Sequence, residues 1–163
     1  ADADDSDASD TVTVLIETAT ERGKTTREDE WTRRLDEGGN ADGADAMLRT
    51  LVAEIEACES ASRRGAQALY AKKAAVETAT GRLADALTSS RRVVEIAPLW
   101  FRGYVLLSDV TLRRCGTSAS AKEIGAATAR AKALCQRALF LEPNVSKDPT
   151  FLSLCAKIGA MSA

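Results

Sequence analysis

From residue 47 onward, apolar residues recur at intervals of three and four. Met47, Leu48, Leu51, Val52, Ile55 and Cys58 form one such stripe, with Glu54, Glu56 and Glu59 on the rest of the wheel. That period is the signature of an amphipathic helix, opened by Asp42 or Asp45 and ended at Ser62 to Gly65. A helix over 66–80 follows, with Leu69, Tyr70, Ala74 and Glu77 inward. Gly81 breaks it. The next spans 82–97, with Leu83, Ala86, Leu87, Ser90, Val93, Val94 and Ala97 inward, and Pro98 stops it. Residues 100–114 carry Phe101, Tyr104, Val105, Leu107 and Leu112. A long helix is expected over about 120–141, stopped by Pro143. A last amphipathic helix starts near Pro149 and carries Phe151, Leu152, Leu154, Cys155, Ile158 and Met161. Short connections between sequential helices imply antiparallel neighbours.

Residues 1–40 read differently. Residues 1–10 are an acidic, low-complexity leader that buries too little apolar area to order itself. Residues 11–22 fit either a strand (Val12, Val14, Ile16 alternate) or a helix (Val12, Leu15, Ile16, Ala19). With no second strand to pair with, helix is favoured. Thr26 with Asp29 and Glu30 opens a further helix carrying Trp31 and Leu35. The organisation expected is thus a leader at 1–10, N-terminal helices at 11–65 and a helical array at 66–163.

Composition supports an all-α chain. Ala is abundant and loses no side-chain entropy in a helix. Aromatics are 4% of the 163 residues and there are only 3 Pro. No apolar run approaches the roughly 18–20 residues that span a membrane. Charge is lopsided. Residues 1–60 carry 17 acidic against 6 basic residues, a net of −11; residues 61–163 carry 7 against 16, a net of +9. A basic half of this kind suits a polyanion or an acidic partner.

Two segments repeat. Tyr70, Ala71 and Ala74 lead to Gly81, Leu83, Ala86, Leu87, Val93 and Pro98. Tyr104 then opens a second unit, which runs through Ala131 and Ala138 to Pro143. Over residues 67–143 the chain resembles the tetratricopeptide repeat family, whose period of about 34 residues is the spacing from Tyr70 to Tyr104. Small residues permit close approach of the paired helices and Pro ends the second one. The step from Pro98 to Pro143 is longer than one period, so the second unit holds an insertion of about 11 residues. It is placed around 117–125, as a longer loop or an extended second helix. Trp31 and Met47 keep the same separation as Tyr70 and Ala86, and would begin a degenerate third unit.

The resemblance implies an all-α fold of antiparallel helix-hairpin repeats, a short solenoid with residues 149–161 as its capping helix. It also implies a groove lined by the first helices. Transferred by alignment, groove positions are Ala71, Ala75 and Thr78 in one unit, and Arg102, Val105, Asp109, Leu112 and Arg113 in the next. The second set mixes cations with apolar surface and suits an acidic segment. The Lys and Asn that open the chaperone-tail clamp of one sub-family would fall at Ala71 and Ala75, so that ligand is disfavoured.

Catalytic and metal chemistry find little footing. There is no His, no phosphate-binding Gly-rich motif and no nucleophile elbow. Cys58, Cys115, Cys135 and Cys155 form no CxxC pair and read as small buried thiols of a reducing compartment. No cofactor, metal or small-molecule substrate is expected. The function expected is a protein-protein interaction scaffold or adaptor, a subunit of a larger assembly that takes a partner helix or an acidic segment. The alternative is a peripheral ribonucleoprotein subunit that meets RNA phosphates through Arg91, Arg92, Arg113, Arg114, Arg130 and Lys132. The cytoplasm is the expected compartment, with the mitochondrion as the alternative if a transit peptide was removed.

Overall fold

In the computed structural model, residues 41–62 and 64–163 are described. The chain divides into a unit Ala1–Asp45 and a unit Ala46–Ala163, and the second carries the helical array. The leader, the segment 11–22 and the Trp31 helix lie outside the described residues.

Among the described residues the fold is all-α. Six helices follow one another: α1 (Ala41–Ser60), α2 (Ala66–Ala79), α3 (Leu83–Ile96), α4 (Phe101–Arg114), α5 (Ala121–Leu141) and α6 (Pro149–Ser162), with a 3-10 turn at Pro143–Lys147 before α6. Helix α1 starts ahead of both Asp42 and Asp45, which therefore sit inside its first turns rather than capping it. Its stripe buries Leu51, Ile55 and Cys58, whereas Val52 is 39% exposed at the edge of the wheel.

Each helix from α2 onward packs chiefly on its neighbour in sequence. The short link 80–82 turns the chain back so that α3 lies along α2. Gly81 makes this possible at φ +75°, a left-handed conformation that costs a side-chain-bearing residue about 1–2 kcal/mol. The Arg82 amide then donates to the Glu77 carbonyl at 2.8 Å, which satisfies the end of α2. Helices α4 and α5 form the second hairpin. Packing is more extensive within each hairpin than between them, and α2 touches α4 as α4 touches α6.

Small residues sit where the helices cross. Ala74 of α2 and Ala86 of α3 are fully buried, as are Ser108 of α4 and Ala131 of α5. The Ser108 hydroxyl donates to the Ala131 carbonyl at 2.9 Å, so this hydroxyl is not orphaned in the crossing. Between hairpins, the buried Gly103 brings α4 onto Val93 and Val94 of α3. The Tyr104 hydroxyl reaches back to the Pro98 carbonyl at 2.8 Å and ties the start of α4 to the end of α3.

Where an insertion is expected around 117–125, the extra length lies mainly in helix α5. Helix α5 has 21 residues where α3 has 14, and the link 115–120 is twice as long as 80–82. The extension lies ahead of the crossing, so the packed part of the hairpin keeps its shape.

Ser120 starts α5 with a capping box. Its hydroxyl accepts from the Glu123 amide at 3.3 Å, and the Glu123 carboxylate accepts from the Ser120 amide at 2.7 Å. The Ser120 backbone amide, then its hydroxyl, hold the Glu123 carboxyl below the usual range. A depressed carboxyl contributes stability above its unfolded pKa and loses it as pH falls through the folded value. The first turn of α5 is therefore expected to fray as pH drops below the ordinary Glu range. Amide exchange at Glu123 checks this, and Ser120→Ala should weaken the pH dependence.

The main core joins Leu112, Ala131, Cys135, Ala138, Val145, Phe151, Leu154 and Ile158, with Phe101, Tyr104, Val105 and Met161 packed at its edge. A smaller cluster holds Ala86, Leu87 and Val110. Helix α6 thus covers the apolar face of the second hairpin. Cys155, expected as a buried thiol, is exposed, and Leu152 is 52% exposed. Phe151, Leu154 and Ile158 fill the seam, and these two fall on its flank.

Candidate protein-binding groove

The wall that α4 turns toward α6 carries Phe101, Arg102, Val105, Leu106, Asp109 and Arg113, which follow the three-and-four spacing of one helix face. Helix α6 supplies the facing wall through Pro149, Thr150, Ser153, Leu154 and Lys157, with Asp148 at its mouth. Asp148 opens α6: its carboxylate accepts from the Thr150 amide at 2.8 Å, and Pro149 fills the first helical position, where no amide is needed. These walls enclose a groove of about 650 Å³, within the range of small-ligand or side-chain pockets.

Its floor is apolar. Leu154 is buried, and Phe101, Val105 and Leu106 are half-buried. Its rim is charged. Asp109 takes Arg113 Nε at 2.9 Å on one oxygen and Lys157 Nζ at 3.8 Å on the other. The Arg102 guanidinium lies 5.8 Å from the centroid of the Phe101 ring. Three cations therefore face two carboxylates, of which Asp148 is occupied by the helix start. Exposed pairs such as these hold their partners weakly, so an incoming carboxylate can compete with Asp109 for Arg113 and Lys157.

Compared with protein-family models, curated proteins and solved structures, the chain matches none.

Arg102, Val105, Asp109 and Arg113 fall together on one wall of this groove. Leu112, expected beside them, does not. It is 3% exposed and belongs to the main core, because one residue along the helix turns the side chain by about 100°. Ala71, Ala75 and Thr78 do not line the groove either. Ala71 is half-buried, Ala75 is exposed, and the Thr78 hydroxyl donates to the Ala74 carbonyl at 2.7 Å. Sequence reasoning misses the facing wall, since residues 149–161 read only as a cap. A signal is present: Thr150, Ser153, Leu154 and Lys157 repeat the three-and-four spacing, one step round the helix from Phe151 and Ile158.

The six candidate polyanion contacts are all exposed and spread over α3, α4 and α5. Two are engaged with neighbours. Arg92 pairs with Glu95 at 3.2 Å and lies 6.0 Å from the centroid of the Tyr70 ring, while Arg113 pairs with Asp109. Tyr70 in turn donates to Glu59 at 2.8 Å; desolvation and then this carboxylate lift its phenol above the usual value. Among the described residues no group of three or more Cys, Asp or Glu is placed to hold a metal ion, and no helix is long and apolar enough to cross a membrane.

Proposed function

We propose that this chain is a non-catalytic, tetratricopeptide-like interaction scaffold, a subunit of a larger protein assembly. In this reading the groove between α4 and α6 takes an acidic segment or partner helix. The observation that carries it is the groove's make-up: an apolar floor rimmed by Arg102, Arg113 and Lys157, suited to one apolar side chain flanked by carboxylates.

The repeat reading is supported by burial that recurs in register. Buried Ala74 and Val76 are followed one repeat period later by buried Ser108 and Val110. Counted back from each closing Pro, Ala86, Ser90 and Val93 correspond to Ala131, Cys135 and Ala138, all buried.

The test is affinity purification of the tagged full chain from its own cells, at low and high salt, beside an Arg113→Glu/Lys157→Glu variant. Defined protein partners that survive high salt and fall at least about tenfold with the variant fit the loss of two charge-assisted contacts. Partners that stay unchanged in the variant would remove the groove from the account.

The exposed Arg91, Arg114, Arg130 and Lys132 favour a second reading, contact with RNA phosphates. It predicts RNA binding that weakens steeply as salt rises, and a smaller salt slope once these four are neutralised.

A further inference from the structure

Asp109 stands between two cations of the groove rim. Its Oδ2 accepts from Arg113 Nε on the same helix at 2.9 Å, and its Oδ1 lies 3.8 Å from Lys157 Nζ on α6. The second distance is too long for a hydrogen bond, so charge alone holds Lys157 to the opposite wall. The first uses Nε, so the two terminal nitrogens of the Arg113 fork are not the ones that Asp109 holds. Both cationic side chains are 48% exposed. A carboxylate is thus already seated on the cations that an incoming acidic segment would use, and it belongs to the protein itself.

We propose that Asp109 is the specificity-determining residue of this groove, selecting a segment with a carboxylate beside an apolar side chain over one with a phosphate there, an inference that rests on the groove reading above. Arg102, Arg113 and Lys157 against Asp109 and Asp148 leave the lining with a net charge of +1. One carboxylate brings it to neutrality. A phosphoserine carries close to two negative charges above pH 7 and leaves an excess. The attraction that a ligand feels grows in proportion to its charge. The cost of taking that charge out of water onto an apolar floor grows with its square. At +1 the field suits a monoanion. Without Asp109 the lining would stand at +2, and the balance would move toward a dianion.

Position sharpens the effect. An anion that bridges Arg113 and Lys157 lies beside Asp109, since Asp109 pairs with both. Like charges side by side disfavour a ligand, and the penalty is larger for two charges than for one. Lys157 can swing to a ligand carboxylate while Arg113 keeps Asp109 on Nε and offers its outer nitrogens. Asp109 therefore weakens every anion somewhat and a dianion most.

The test titrates the full chain, labelled with nitrogen-15, with two capped peptides, acetyl-Ala-Leu-Glu-Ala-amide and acetyl-Ala-Leu-phosphoserine-Ala-amide, at pH 7.5 and low salt. The amides of Ser153 and Lys157 report on the groove. The parent is expected to bind the glutamate peptide more tightly. Asp109→Asn keeps the shape and an acceptor for Arg113, and should strengthen the phosphoserine peptide at least about fivefold more than the glutamate peptide, enough to reverse the order. Asp85→Asn removes an exposed acid from α3 and should leave that preference unchanged. A preference unaltered by Asp109→Asn, or a parent that already favours phosphoserine, would overturn the role of Asp109 while leaving the groove as the site. Failure of both peptides to shift Ser153 and Lys157 in the parent would instead remove the groove reading, and this inference with it.

Discussion

Replacing Glu77 with alanine is expected to destabilise the array by about 3 kcal/mol, the lower end of the cost of breaking a buried ion pair. Glu77 is 2% exposed. Its carboxylate accepts from Ser89 Oγ at 2.6 Å and from Lys73 Nζ at 3.3 Å, and Lys73 also donates to Ser89 at 3.1 Å. The three side chains close a polar triangle across the first hairpin. Truncation leaves the Lys73 ammonium, only 24% exposed, without its counter-charge, and leaves a void against Ser89. Removing the charges together behaves differently. Lys73→Met/Glu77→Leu keeps volume and removes both desolvation costs, and Ser89 can turn to its own helix backbone. That double variant should recover to within about 1 kcal/mol of the parent, because apolar replacement of a buried pair is often neutral or better. Urea denaturation of the three proteins checks this; a double variant as unstable as Glu77→Ala would show that the triangle, rather than its orphaned charge, holds the hairpin.

The second large effect concerns Gly103. A Cβ there would meet Val93 Cγ1 at 3.0 Å and Val94 Cγ2 at 3.4 Å. Val93 is fully buried, so it has little room to give. Gly103→Ala is expected to cost about 1–2 kcal/mol, since overpacking outweighs the gain of up to about 1 kcal/mol from removing a mid-helix glycine. Gly103→Leu should cost more than about 3 kcal/mol and part α4 from α3. The hairpin α2–α3 does not depend on this contact, so loss of cooperativity in the unfolding curve is the specific readout. A Gly103→Ala variant more stable than the parent would mean that α4 and α3 stand farther apart than this contact requires.

Much of this architecture is legible in the chain, for reasons that differ from helix to helix. Pro98 and Pro143 lack an amide to continue a helix and mark the ends of α3 and α5 to within two residues. Gly81 marks a turn because a left-handed residue is needed there. The inward faces of α3 and α5 are legible through small residues, since Ala86 and Ser90 on α3 and Ala131 and Ala138 on α5 recur at helical spacing. Harder are places where periodicity fixes a face but not its edge. Val52, Leu152 and Cys155 are apolar and flank a buried stripe, and a hydrophobic wheel cannot tell flank from seam. Leu112 shows the opposite error: alignment puts it in the groove, and its place on the wheel takes it into the core. Glu77 is legible as inward, but its partners are not, because Lys73 is one turn away on the same helix and Ser89 is across the hairpin. Only one side of the candidate site can be read from the chain. The α4 wall is expected from the resemblance, whereas the α6 wall needs the fold, which alone brings Lys157 to Asp109.

The most direct measurement places a photo-crosslinking amino acid at Ser153, an exposed groove residue, in the full chain in its own cells. A discrete protein adduct is expected from Ser153, abolished by Arg113→Glu/Lys157→Glu and absent when the same probe stands at exposed Ala126. An adduct of RNA, or equal protein adducts from both positions, would contradict the claim that this groove is the binding surface.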